Sequence, residues 1–96
     1  MIYRKWVYED IFRIAQLEKE CFSDPWTFRM LADTFFSENT VAIAAEEDGK
    51  VIGYAFAVLA GEDADLANIA VDPAYRRRGA AQALLARTET EVRAAG

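Results

Sequence analysis

Residues 76–79 read Arg-Arg-Arg-Gly and run on into Ala80, Ala81 and Gln82, the one dense basic stretch of the chain. A strand ending in "VDP", a short loop and a helix opening on Gly79 would leave unpaired main-chain N–H groups at the positive end of a helix, which makes a site for an anion. Gly79 lets a ligand approach the backbone, Ala80 and Ala81 keep the first turn narrow, and Arg76, Arg77 and Arg78 can fork onto phosphate oxygens. A solvated basic loop, with a glycine needed only for turn geometry, would use the same residues. Neither G-x-x-x-x-G-K-S/T nor G-x-G-x-x-G occurs.

Glu18 is the second residue with chemical potential. On a helical wheel its neighbours at i−4, i−3, i+3 and i+4 are Ile14, Ala15, Cys21 and Phe22, all apolar. A carboxylate in such a stripe must be paired, protonated or turned to a cleft, because burying it bare is too costly. We read it as facing a cleft where it can take a proton, against an ion pair or a side chain reaching for the helix edge. Cys21 is the only cysteine and the chain has no histidine. With no imidazole to activate it, the thiol reads as a small buried group rather than a nucleophile.

The elements that must position these groups follow from a chain of 96 residues, 53% apolar and 28% charged, which suits one compact domain over 1–96. Sixteen acids against eleven bases give a formal charge of −5, which disfavours a nucleic-acid surface. A lone cysteine excludes an internal disulfide and fits a reducing cytoplasm, and without histidine a zinc site lacks its commonest ligands, so no metal is expected. No apolar run resembles a leader or a membrane span, and no membrane partner is expected.

Ile2 to Trp6 alternates loosely enough for a first strand. Helical spacing covers Glu9 to Cys21, with Glu9 and Asp10 at the positive end of the helix dipole. "SDPW" breaks the chain at Pro25, and a second helix starts near Thr27 with Phe28, Leu31, Ala32 and Phe35 on one stripe. "TVAIAAEE" and "VIGYAFAVLAG" read as a hairpin turning on Asp48-Gly49. A strand over 64–71 ends at Asp72-Pro73. A last helix runs from Gly79 to about Ala95, with Ala81, Leu84, Leu85, Thr88 and Val92 inward and Gly96 as its C′ residue. The order β-α-α-β-β-β-α is an α+β layout with a mostly antiparallel sheet. It looks C-terminally incomplete, since no returning strand covers the edge at 64–71. That uncovered edge suggests homodimer pairing.

"NIAVDPAYRRRGAAQALL" resembles motif A of the GCN5-related N-acetyltransferase (GNAT) family, a strand followed by an Arg/Gln-x-x-Gly-x-Gly/Ala loop and a helix. Arg76, Gly79 and Ala81 occupy its three defined positions, and "CFSDPWT" at 21–27 resembles the subfamily that acetylates the N-terminal alanine of a ribosomal protein. The resemblance covers nearly the whole chain. It implies the N-terminal part of a GNAT-like three-layer α/β sandwich and acetyl-CoA as co-substrate. It also implies a cytoplasmic enzyme that transfers an acetyl group to a protein N-terminus. Ala80 departs from the larger aliphatic common in the family, which implies looser packing beneath the loop.

By the same resemblance, Ile69, Ala70 and Val71 pair with the pantetheine arm, Arg76 opens the turn, and Arg77, Arg78, Gly79, Ala80, Ala81 and Gln82 line the pyrophosphate. Direct attack by an amine on a thioester needs a base, a donor for the oxyanion and an acid for the thiolate. Asp65 stands ahead of "IAV" where the lysine-acetylating branch carries its basic glutamate, and is the first candidate base, against the plainer reading that it is one of several solvated acids in "GEDAD". Glu18 is the second, facing the acceptor amine. In the alanine-specific branch the catalytic glutamate and tyrosine follow motif A, and neither segment is present here. Phe22 and Trp26 are candidates for an acceptor-peptide wall or for core. Asn68, on a face with Leu66 and Ala70, would bond a substrate backbone or satisfy a neighbouring strand. The alternative to an enzyme is a CoA-binding or dimer-forming module of the same fold.

Overall fold

The computed structural model describes residues 1–95. Its elements are β1 (Ile2–Lys5), α1 (Asp10–Cys21), α2 (Phe28–Phe36), β2 (Thr40–Glu47), β3 (Lys50–Ala60), β4 (Asp63–Val71), a single 3-10 turn (Pro73–Tyr75) and α3 (Ala80–Ala95). The four strands form one antiparallel sheet in the order β1-β2-β3-β4. This is the expected α+β order. The expected C′ role of Gly96 lies outside the described residues. Among the described residues no helix is long and apolar enough to cross a membrane.

The sheet is the middle of three layers. Ile11, Ile14 and Leu17 of α1 and Leu31 of α2 pack with Tyr54, Phe56 and Ala70 on one face. Ala80 and Leu84 of α3 pack with Ile43, Ile52, Ala55 and Val71 on the other. Because both faces are covered, β3 is buried without interruption from Val51 to Ala57, which is why its sequence is apolar rather than alternating. Trp6 falls just beyond β1, yet its main-chain N–H donates to Ala42 O at 3.1 Å and its buried indole donates to Ile43 O at 3.0 Å.

Helix ends follow local chemistry. Thr27 Oγ1 accepts from Met30 N–H at 3.2 Å, capping α2 where the sequence places its start. Asp10 does more than face the dipole of α1: it accepts two bonds from the Arg4 guanidinium and one from Val7 N–H, while Arg4 also donates to Glu46. That network ties β1, α1 and β2 together. On α3 the buried stripe is Ala80, Leu84 and Thr88 with Val92 half-buried, so the expected inward positions Ala81 and Leu85 are instead exposed. The helix begins at Ala80, and that residue rather than Ala81 lies against the sheet.

A bulge in β4 corrects the reading of its faces. Asn68 pairs with Phe56 while Leu66 pairs with the next residue of β3, Ala57, so Ala67 is extra. Opposed residues share a face, and one inserted residue reverses the alternation beyond it. Asn68 and Ala70 therefore face α1 and α2, whereas Leu66 lies on the α3 side, where it lines a cleft with Leu85 and Thr88. The expected common face for Asn68 and Leu66 is broken by this one insertion.

Candidate functional site

The turn from β4 into α3 is built by Asp72. Its N–H donates to Ile52 O at 2.7 Å, completing the sheet, and its carboxylate accepts from Ala74 N–H at 2.9 Å and from Arg13 Nη2 at 2.6 Å. Pro73 fits the first position of the 3-10 turn, where its missing N–H costs nothing. Arg76 Nε donates to Val71 O at 3.1 Å and closes the loop onto the strand end. Arg77 at φ 67° and Gly79 at φ 79° then swing the chain into α3 through left-handed conformations.

Main-chain donors converge there. Ala83 N–H is met by Gly79 O at 3.1 Å, leaving the N–H groups of Ala80, Ala81 and Gln82 in a first turn that has no acceptor of its own. A Cβ placed on Gly79 would meet nothing within 4 Å, so the space above the turn is open. Asp72 N–H points to β3, so by antiparallel alternation Ile69 and Val71 turn their N–H groups to the outer edge of β4.

These groups surround a cavity of about 510 Å³ lined by residues 69–71, 75–77 and 79–82. It brings together strand edge, turn and helix start, the places that the family resemblance implies for a diphosphate and an extended thioester arm. Arg78 is turned elsewhere. Its guanidinium pairs with Glu47 at 3.2 Å and lies over the Tyr75 ring at 5.2 Å, and it does not line the cavity. Tyr75, which sequence reasoning missed, lines the wall instead; an aromatic immediately before the arginine run was its only signal.

Glu18 is fully buried and its carboxylate is paired, not turned to a cleft. Oε1 accepts from Trp26 N–H at 2.8 Å, and Oε2 accepts from Asn68 Nδ2 at 2.8 Å and from the Tyr54 hydroxyl. One acid thus holds the α1–α2 loop, β3 and β4. Burial and the bond to Glu18 push the Tyr54 hydroxyl pKa far above its ordinary value.

Asp65 is exposed on β4, opposite Val58, and stands apart from the cavity lining. The bulge places it on the same sheet face as Asn68. Trp26 packs edge-on against Phe56 with ring centroids 5.0 Å apart, and Phe22 is half-buried against the same core. Cys21 is half-buried, with Arg76 Nη2 donating to its sulfur at 3.7 Å.

Known proteins are similar to this chain in sequence and in fold. Over 81 residues the chain is 33% identical to a Bacillus subtilis (strain 168) protein provisionally named a ribosomal protein bS18-alanine N-acetyltransferase, spanning 79% of this chain and 51% of that one. The crystal structure of the ribosomal-protein-S18-alanine N-acetyltransferase from Escherichia coli superposes with a TM-score of 0.85 at 26% identity, covering 95% of this chain and 58% of that one. Rv2747 from Mycobacterium tuberculosis, in complex with CoA and NLQ, has the same fold at 22% identity, with a TM-score of 0.87 over 99% of this chain and 59% of that one. The chain therefore spans about half the length of the curated relative it matches. The family model described as the acetyltransferase (GNAT) family matches residues 11–96, and the chain belongs to that family.

Proposed function

We propose that this chain is a single acetyltransferase domain that uses acetyl-CoA to acetylate a protein N-terminal amine, with the alanine of a ribosomal protein as acceptor. The observation that carries this reading is the cavity at the end of β4, where a left-handed Gly79 and the first turn of α3 meet an open strand edge. The names of the B. subtilis and E. coli relatives support the acceptor, and the CoA complex of the M. tuberculosis structure supports the co-substrate.

The residues present fit a diphosphate. First-turn N–H groups of α3, with Arg77 and the space left by Gly79, would hold it, and Ile69 to Val71 would hold the extended arm along β4. Acetyl-CoA supplies the activated acyl group. An N–H on the outer edge of β4 stabilises the negative charge that develops on the acyl oxygen. Asp65, the exposed carboxylate on the same face as Asn68, accepts the proton of the attacking amine as the thioester C–S bond breaks, and the CoA thiolate leaves and takes a proton from solvent. Phe22 and Trp26 wall the acceptor peptide. The free thiol of Cys21 fits a cytoplasmic setting.

A second reading, a CoA-binding module that pairs with its own copy, is favoured by the outer edge of β4, which no strand covers among the described residues. Incubation with acetyl-CoA and a peptide beginning with alanine separates the two. A gain of one acetyl group supports the enzyme; measurable CoA binding with no gain, together with a dimer by light scattering, supports the module.

A further inference from the structure

The polarity of one side-chain amide is fixed by the buried carboxylate behind it. Glu18 accepts from Asn68 Nδ2 at 2.8 Å, and a carboxylate that also accepts from Trp26 N–H and the Tyr54 hydroxyl has no hydrogen to offer in return. The NH2 end of Asn68 must therefore face inward. Its Oδ1 accepts no hydrogen bond among the described residues, and no buried side-chain oxygen there lacks a partner, so Oδ1 is open to solvent. Asn68 sits next to the extra residue Ala67, where the ladder to β3 is interrupted, and directly before the strand positions that line the cavity.

We infer that Glu18 is a positioning residue that locks Asn68 as a hydrogen-bond acceptor for an N–H donor arriving along β4. The ligand chemistry is an N–H group, with two sources: the amine of the acyl acceptor or an amide of the pantetheine arm. The inference rests on the proposed acetyl-CoA chemistry for its ligands, while the orientation of Asn68 stands on the hydrogen bonds alone.

Glu18→Gln tests it with almost no change of shape. Main-chain Trp26 N–H can only donate, so the new amide must give it the oxygen. Its NH2 then faces Tyr54 and Asn68. The hydroxyl can accept instead, and Asn68 is satisfied by turning over. In this variant Asn68 presents NH2 outward, opposing any N–H donor. Asn68→Ala is the companion, removing Oδ1 while leaving Glu18 two of its three donors.

In 15N-labelled protein, the Asn68 side-chain amide should exchange slowly in the wild type and rapidly in Glu18→Gln. Titration of the wild type with CoA and, separately, with a peptide beginning with alanine should move the Asn68 signals in at least one arm. In that arm both variants should lose affinity by about tenfold or more. Loss confined to the peptide arm assigns the amine as the donor, and loss confined to the CoA arm assigns the pantetheine amide. Asn68 signals that ignore both titrants, or affinities unchanged in both variants, overturn the inference. Shifted Asn68 signals without acetyl transfer by the wild type would sink only the catalytic reading.

Discussion

Arg13 Nη2 lies 2.6 Å from Asp72 Oδ2, joining the middle of α1 to the residue that follows β4 and starts the turn into α3. Asp72 also holds Ala74 N–H, so its side chain serves both as cap and as partner of Arg13. Asp72→Ala should destabilise the chain by about 2 kcal/mol, the sum of a lost cap and a lost half-buried pair. Urea unfolding of Asp72→Ala, Arg13→Ala and the double variant should give a coupling of about 0.5–3 kcal/mol. Additive effects would show that the two groups act separately. CoA affinity should fall in both single variants, since the turn is no longer held to α1.

Gly79 has φ 79° and open space where a Cβ would sit, so strain and charge can be separated there. Gly79→Ala introduces only the left-handed penalty, about 1 kcal/mol. Gly79→Asp adds a negative group beside the donors of α3. Calorimetry should find CoA binding at least about tenfold weaker in the aspartate variant than in the alanine variant. Equal affinities would move the diphosphate away from this turn.

The two arginines before Gly79 should behave unequally. Arg77 lines the cavity, whereas Arg78 is held by Glu47 and Tyr75. Arg77→Ala should weaken CoA binding by about tenfold, with a reduced salt dependence. Arg78→Ala should change affinity by no more than about threefold, and its stability by about 0–1 kcal/mol, as for an exposed ion pair. The reverse order would mean that Arg78 leaves Glu47 for the ligand.

How much of this could be read from the sequence depends on whether the signal is local. The order of elements was legible because periodicity, Pro25, Asp48-Gly49 and Pro73 act on their own neighbourhoods. The environment of Glu18 was legible as an acid in an apolar stripe, but its partners Asn68 and Tyr54 lie 50 and 36 positions away, and no local pattern names them. The bulge at Ala67 carries no glycine or proline to mark it, so the face of Asn68 could not be derived from alternation. The diversion of Arg78 needs Glu47 at the end of β2, again a long-range contact.

Gly53 is the tightest glycine of the sheet. An added Cβ would stand 3.0 Å from Ala70 O, 3.2 Å from Leu84 Cδ1 and 3.3 Å from Val71 Cγ2. The backbone oxygen cannot turn aside, so Gly53→Ala should cost about 1–3 kcal/mol through displacement of β4. Thermal unfolding measures the loss, and CoA titration should show weaker binding because residues 70 and 71 line the cavity.

Alkaline pH should reveal Tyr54. Its pKa is raised in the folded chain by burial and by Glu18, so above the unfolded value near 10 the folded state holds more protons than the unfolded one. The stability it contributes is fully present below that pH and is lost as pH rises toward the folded value. Tm should therefore decline above about pH 10. Tyr54→Phe should be less stable at neutral pH, having lost its bond to Glu18, and should show a shallower alkaline decline. An unchanged slope would mean that other groups govern it.

The up-and-down succession of β2, β3 and β4 has a kinetic consequence. Two tight turns suffice to register these three strands, whereas β1 reaches Ile43 to Glu46 only after both α1 and α2 have been looped out between them. Short closures cost less chain entropy than long ones. The three-stranded meander can therefore nucleate by itself, with the amino-terminal strand docking late and the turn from β4 into α3 already attached to the nucleus.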